Sequence, residues 1–268
     1  MKHFKTIALA LLLLPLEAMA QFAWYGADGE ARVKTDLGIG NDTDGEWYSI
    51  GDWFDGGKSY VTIFDSGGPM PTDEDVQAYG GIKGQIKLDY GTASYSLAGI
   101  GFFAAGVDAW QHVECDASAW GGLSIGYKSD NTLVVKLNLS DDLNSETGYT
   151  HPEYVLPPTS TETFVRIPWS AFAFPEWAHV DLSGYEAAQH LVAVEFVMNG
   201  QEGTFNFLIT KIGSHDMPET PSVTTGCSSV DATVNEDAGW YTISGVQLRN
   251  EPAERGIYIH NGQKVVVK

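Results

Sequence analysis

Cysteine is nearly missing from this chain: Cys115 and Cys227 are the two in 268 residues. That excludes a scaffold of several disulfides and any Cys-x-x-Cys metal spacing. One bridge between the two stays open, since sequence separation says nothing about geometry. Basic residues are also scarce, 15 Lys and Arg against 35 Asp and Glu, for a formal charge of −20. A nucleic-acid partner needs a basic footprint, so that class is set aside. Long apolar runs are lacking too. Residues 7–14 form an apolar stretch of about 8 residues, where a bilayer span needs ~20. Helical periodicity beyond a few turns does not occur after that point. Hydrolase signatures are missing as well: nothing reads as a nucleophile elbow, and no His-Glu-x-x-His is present. The chain is therefore expected not to be an enzyme.

What is present begins with a leader. Lys2 and Lys5 precede the apolar run, and Ala18-Met19-Ala20 offers small residues for cleavage before Gln21. This is the pattern of a secretory signal peptide over residues 1–20, which leaves no transmembrane segment after its removal. An apolar fraction of 43% suits a packed globule. Thirty glycines with eight Trp, twelve Tyr and twelve Phe suit many short strands joined by tight turns.

Strand-like runs bounded by Gly, Asp and Asn fall at 59–64, 84–90, 97–103, 111–115, 123–128, 132–139, 163–168, 192–198 and 204–212. One helical turn is expected at 185–190. This is an all-β reading, a sandwich over residues 21–214. Along 132–139, Leu133, Val135, Leu137 and Leu139 share one face while Val134, Lys136 and Asn138 share the other. The same alternation sets Val194, Phe196 and Met198 against Glu195 and Val197, and Arg166 against Val165 and Ile167. The apolar faces make an inter-sheet core. The mixed faces would place Lys136, Asn138, Arg166 and Glu195 on one outward platform. Residues 215–236, rich in Pro, Ser, Thr and acids, read as a linker. Residues 237–268 return to strands at 240–244, 256–260 and 264–267, with Asn261-Gly262 as a hairpin turn. About thirty residues bury little core, so this is a small β appendage.

That final segment carries Tyr241-Thr242-Ile243-Ser244-Gly245, Arg249, Arg255-Gly256-Ile257-Tyr258-Ile259, Asn261-Gly262 and a basic-apolar close. It resembles the C-terminal sorting tail of the type IX secretion system. The resemblance implies the type IX machinery as a partner. It also implies that the protein is secreted or held on the outer surface of a Gram-negative bacterium.

The middle of the chain carries Gly45-Glu46-Trp47-Tyr48-Ser49-Ile50-Gly51-Asp52, then Gly56-Gly57-Lys58-Ser59. Two more stretches follow, Asp116-Ala117-Ser118-Ala119-Trp120-Gly121-Gly122-Leu123 and Val165-Arg166-Ile167-Pro168-Trp169-Ser170-Ala171-Phe172. In this order they resemble jelly-roll carbohydrate-binding modules related to family 11. The resemblance implies a jelly-roll sandwich that binds a polysaccharide, such as a plant wall glucan, without cutting it. A structural or adhesive surface protein on the same sandwich is the alternative.

Sugar rings offer an apolar C–H face for aromatic stacking and a hydroxyl rim for polar side chains. Tyr48, Trp53, Trp110, Tyr149, Tyr154 and Trp177 lie in or beside polar loops and are the candidate stackers. Arg166, Asn138, Glu195 and Gln111 are the candidates for the rim, with His112 next to Trp110. Trp47, Trp120, Trp169 and Phe172 are expected in the core. Asp42, Asp44 and Glu46 are oxygen donors at alternate positions, the chemistry a structural calcium takes. The resemblance would also place an acidic pair at the end of the last strand, where this chain has Lys211.

Overall fold

The computed structural model describes residues 22–221, and beyond them 239–242, 247–248, 250, 252, 255–260 and 263–267. The leader, most of the linker, Cys227, Arg249 and the Asn261-Gly262 turn lie outside the described residues. The chain divides into two compact units, Met1–Pro221 and Ser222–Lys268.

The first unit is built from two antiparallel sheets. In chain order its strands are β1 (Ala23–Tyr25), β2 (Trp47–Gly51), β3 (Tyr60–Ile63), β4 (Ile82–Leu88), β5 (Leu97–Phe103), β6 (Val107–Asp108), β7 (Gln111–His112), β8 (Gly122–Ser129), β9 (Leu133–Leu139), β10 (Glu153–Leu156), β11 (Thr159–Pro168), β12 (Leu191–Asn199) and β13 (Gly203–Ser214). One sheet runs β11-β8-β13-β4-β3, with β1 also paired to β13; the other runs β10-β9-β12-β5-β2. The chain repeatedly crosses between them: β4 lies in the first and β5 in the second, and β8 and β9, β10 and β11, and β12 and β13 are split likewise. This is a jelly-roll sandwich, the expected all-β class.

Period-two alternation makes the core. Leu133, Val135, Leu137 and Leu139 of β9 and Val194, Phe196 and Met198 of β12 are all buried. So are Ile86 and Leu88 of β4, Ile125 and Tyr127 of β8, and Phe207 and Ile209 of β13. Trp47, Trp120, Trp169 and Phe172 are buried as expected. The Trp47 indole donates to Ala31 O at 2.8 Å and the Trp120 indole to Asp36 Oδ1 at 2.7 Å. These two indole N–H groups thus keep partners away from water, whereas the buried Trp169 Nε1 has no hydrogen-bond partner among the described residues.

Three short helices punctuate the sandwich: α1 (Asp73–Tyr79), α2 (Asp141–Glu146) and α3 (Gly184–Ala188). The single expected turn at 185–190 corresponds to α3. Helix α1 opens on a capping box, with Thr72 Oγ1 accepting from Asp75 N and the Asp75 carboxylate accepting from Thr72 N at 2.8 Å. The run expected at 111–115 is strand only at β7; Cys115 makes an isolated bridge to Leu191. The linker also starts later than composition indicates. His215 N donates to Trp120 O at 3.0 Å, Met217 is fully buried, and the Tyr25 hydroxyl donates to Pro218 O at 2.8 Å.

The second unit is one antiparallel sheet of β14 (Trp240–Thr242), β15 (Gln247–Leu248), β16 (Gly256–His260) and β17 (Gln263–Val267), in the order β15-β14-β16-β17. Trp240 stacks on His260 with ring centres 4.3 Å apart.

Candidate binding face

The outward face of the five-stranded sheet can be read row by row from the pairing. Tyr48, Gly101, Glu195, Lys136 and Glu153 stand opposite one another across β2, β5, β12, β9 and β10. Two residues along each strand, Ile50, Gly99, Val197, Val134 and Val155 form an apolar row. On the other side of the polar row, Phe103, Ala193 and Asn138 form a third. The β5 glycines leave a trough between longer side chains. The Tyr48 ring lies in it: a Cβ on Gly101 would sit 2.7 Å from that ring.

A hydrogen-bonded network fixes the polar row. Tyr48 Oη and Asn138 Nδ2 both donate to Glu195 Oε1, each at 2.8 Å. His151 Nδ1 stands 3.7 Å from Glu195 Oε2, and its Nε2 is 3.1 Å from Asn144 Oδ1. Asn144, on α2, donates in turn to Asn138 Oδ1 at 3.0 Å and to Leu139 O at 2.9 Å. Lys136 and Glu153 form a looser pair at 3.8 Å. Glu195 is only 6% exposed, and burial pushes its pKa up. The His151 ring 3.7 Å away and the hydrogen bonds from Tyr48 and Asn138 outweigh this and hold it below the usual carboxylate value. Burial and the facing Glu195 charge raise Tyr48 well above the usual phenol value, so it remains a hydroxyl donor.

Beside this network runs a file of rings. Tyr48 stacks on Phe103 at 4.6 Å, and Phe103 stacks on His112 at 4.6 Å. His112 belongs to the β6–β7 hairpin, whose tip carries Trp110, 97% exposed and at φ 71°. Gln111 is exposed beside it. Tyr149, 75% exposed, follows α2 and donates its backbone N–H to Asn144 O at 2.7 Å. Tyr48, Asn138 and Glu195 are therefore united on one face, Trp110 and Gln111 stand on the hairpin packed against it, and Tyr149 follows the helix that supplies Asn144.

The other sequence candidates lie elsewhere. Arg166 projects from β11 in the six-stranded sheet, bonds Met217 O at 3.1 Å and packs on the Phe164 ring, so it does not share a platform with Glu195. The alternation was right; strand order assigns β11 to the opposite sheet. Glu195 itself is buried rather than open to solvent, because Tyr48, Asn138 and His151 cover it. Tyr154 turns inward against the core, 6.1 Å from Phe172, since its partner Val135 is an inward position. Trp53, half exposed, follows β2 and packs its ring against Gly51, where a Cβ would meet it at 2.0 Å. Trp177 is 70% exposed on a separate turn, Glu176–Ala178.

Asp42, Asp44 and Glu46 do not fit a calcium shell. Asp44 is taken by Arg32 at 2.7 Å and by Thr35 N at 3.0 Å, and Arg32 also faces Asp42 at 3.6 Å. Arg32 is thus the counter-charge of both aspartates, and no group of three His, Cys, Asp or Glu among the described residues could hold a metal ion. Lys211, where the resemblance would put an acid, pairs with Glu162.

Phe103, Asn144 and His151 are site residues that the sequence reading missed, whereas His112 was expected beside Trp110. The parity of β5 marks Phe103, because it falls opposite inward Phe102. His151 and Asn144 carry no periodic signal at all. A Gly-x-Ser-x-Gly spacing also escaped notice at residues 122–126, but it is no nucleophile elbow. Ser124 sits mid-strand in β8, fully buried, donating to His215 O at 2.7 Å. Cys115 is equally unsuited to attack, because burial and neighbouring carboxylates raise its thiol to about 12.

No protein-family model matches the chain, and the search of curated proteins gives no match. Solved structures do. A family 11 carbohydrate-binding module of a cellulosomal cellulase of Clostridium thermocellum is 15% identical, covering 63% of this chain and 88% of its own, at a TM-score of 0.38. A family 11 module from Clostridium thermocellum in complex with a β-1,3-1,4-mixed-linked tetrasaccharide is 16% identical over 65% and 91%, at 0.37. A mutant family 29 module complexed with cellulohexaose is 10% identical over 63% and 92%, at 0.30.

Proposed function

We propose that the sandwich binds a neutral plant-wall polysaccharide, a β-glucan or a related polymer, on the outward face of the five-stranded sheet, and does not cut it. The observation that carries this reading is the file Tyr48–Phe103–His112 alongside the Glu195–Asn138–Asn144–His151 network. His112 and Trp110 are exposed rings that suit the C–H surface of a sugar, and Gln111 beside them suits its hydroxyls. The buried network holds the file beneath them in place. Trp110 supplies an open indole beside that file. A glycosidase would need a carboxyl group raised toward neutrality to donate a proton. Glu195, held low and already engaged by Tyr48 and Asn138, does not meet that requirement.

The leader and the tail motif support export through the type IX route, to the medium or the outer surface of a Gram-negative cell. Among the described residues no helix is long and apolar enough to cross a membrane.

Affinity electrophoresis of the protein through gels cast with mixed-linkage glucan, a cellulose derivative, xylan or mannan tests the reading. Retardation by one polymer is expected, weakened roughly tenfold by Trp110→Ala, the loss of one aromatic stack. Migration unchanged by all four polymers would overturn the reading and leave a structural or adhesive surface protein.

A further inference from the structure

The six-stranded sheet also has an outward face, and it differs in charge from the rest of the molecule. In a chain of formal charge −20, Lys83, Lys87, Lys128, Arg166 and Lys211 all stand on it. Two of the five are committed elsewhere: Lys87 pairs with Asp89 at 3.1 Å, and Lys211 with Glu162. Arg166 is tied to Met217 O. Lys83 and Lys128 differ. They flank Leu208 in one cross-strand row, and neither forms an ion pair among the described residues.

Around this row lies a groove of about 440 Å³ lined by Phe64, Tyr79, Lys83, Lys128, Asn206 and Leu208, with Asp130 at its edge. Its size falls within the ~300–1,000 Å³ usual for small-ligand sites. Lys83 Nζ lies 4.1 Å from the centre of the Tyr79 ring and 5.4 Å from that of Phe64, so the two rings hold the ammonium in place without neutralising it. On the neighbouring row, Gln85 Nε2 donates to Asn206 Oδ1 at 2.9 Å, and Asn206 Nδ2 donates to Asp130 Oδ2 at 2.6 Å. The groove's lining thus combines two ammonium groups without an ion pair against one engaged carboxylate, Asp130, an apolar floor at Leu208, an aromatic wall whose Tyr79 hydroxyl donates to Asp65 Oδ1 at 3.2 Å, and a row of amides.

We propose that this groove binds an acidic sugar unit, a uronate of an anionic polysaccharide, with its carboxylate between Lys83 and Lys128. The ring's C–H face meets Leu208 and Tyr79, and its hydroxyls meet Asn206 and Gln85. A single carboxylate matches the groove's small excess of positive charge. Nucleic acid is the poorer fit, because its many phosphates would meet an acidic surface beyond the groove. The site lies on the opposite sheet from the Tyr48–Phe103–His112 file and does not depend on it.

The test uses the whole chain in gels cast with polygalacturonate, with its methyl ester, and with single-stranded DNA as a general polyanion. Polygalacturonate is expected to retard the protein, and less so as salt rises above ~0.1 M. The double variant Lys83→Gln/Lys128→Gln should weaken that retardation by roughly a hundredfold, about tenfold for each charge-assisted hydrogen bond removed. Trp110→Ala should leave it unchanged, which separates this site from the neutral-sugar face. Circular dichroism of the double variant should match the parent, since neither lysine holds an ion pair. Three results would each overturn the proposal: no retardation by polygalacturonate, equal retardation by the methyl ester, or a double variant that binds as well as the parent. Equal retardation by DNA, lost with the same two lysines, would replace the sugar site with a general anion surface.

Discussion

Glu195 is a buried carboxylate in a sheet whose other outward residues at its strand are Ala193 and Val197. It persists there because three neighbours offer it protons: Tyr48 and Asn138 through direct hydrogen bonds, and His151 from 3.7 Å. Removing it leaves the Tyr48 hydroxyl and the Asn138 amide without an acceptor in a dry place. Glu195→Ala should therefore cost about 3 kcal/mol in a urea unfolding series, the range for breaking one side of a buried charged network. Glu195→Gln keeps an acceptor oxygen and should cost about 1 kcal/mol. Equal losses for the two variants would show that the network contributes nothing beyond packing. Composition and alternation could place Asn138 and Glu195 on one face, because period two is local. They could not show that His151 and Asn144 complete the network, since those residues arrive from a loop and a two-turn helix with no repeating pattern.

At the level of the strand, β5 matters for what it omits. Gly99 and Gly101 face outward between β2 and β12, and the absent side chain at Gly101 is where the Tyr48 ring rests. Gly101→Ala would drive a methyl group into that ring, tilting Tyr48 off Phe103 and away from Glu195. We expect its affinity for the polymer found by electrophoresis to fall about as far as with Tyr48→Ala, roughly tenfold. Gly99→Ala would test a different contact, as its Cβ meets Phe196 O and Val197 rather than Tyr48. If Gly101→Ala binds normally, the Tyr48 ring does not form part of the binding surface. Elements with strong alternation were readable in advance, and β5 falls at 97–103 as expected. Strands β1, β2, β6 and β10 were not among the expected runs; each is five residues or fewer and shows little of a period. Helix α1 was missed because its one buried apolar side chain, Val76, gives no helical stripe; its capping box, not its hydrophobicity, marks its start. Arg166 shows the deeper limit. Which face of a strand is outward can be read locally, but which sheet the strand joins depends on pairings distant in sequence.

For the molecule as a whole, two effects of acidity oppose one another. A formal charge of −20 repels itself, so partial neutralisation should stabilise the folded state. Against this stand carboxylates held low by the fold. Burial alone would raise Asp52, but Ser59 and the Leu97 backbone donate to it and bring it below the usual 3.8. Asp75 is lowered in the same way by Thr72 and Ser66, and Glu195 lies below the usual 4.5. A group whose folded pKa is depressed contributes stability that is complete above its unfolded value and is lost as pH falls through the folded one. Between pH 7 and about 5 these three remain ionised, their share of the stability is complete, and the melting temperature should hold. Below about pH 4 the three carboxylates begin to take up protons, their donors lose charged acceptors, and the melting temperature should fall steeply. Added salt should raise the plateau, by screening the repulsion of a −20 chain, and leave the fall below pH 4, which arises at buried hydrogen bonds. A calorimetric series across pH at two salt concentrations reads both the plateau and the fall. A melting temperature that rose as the pH dropped through 4 would mean that surface repulsion, not the three pinned carboxylates, governs how this sandwich responds to acid.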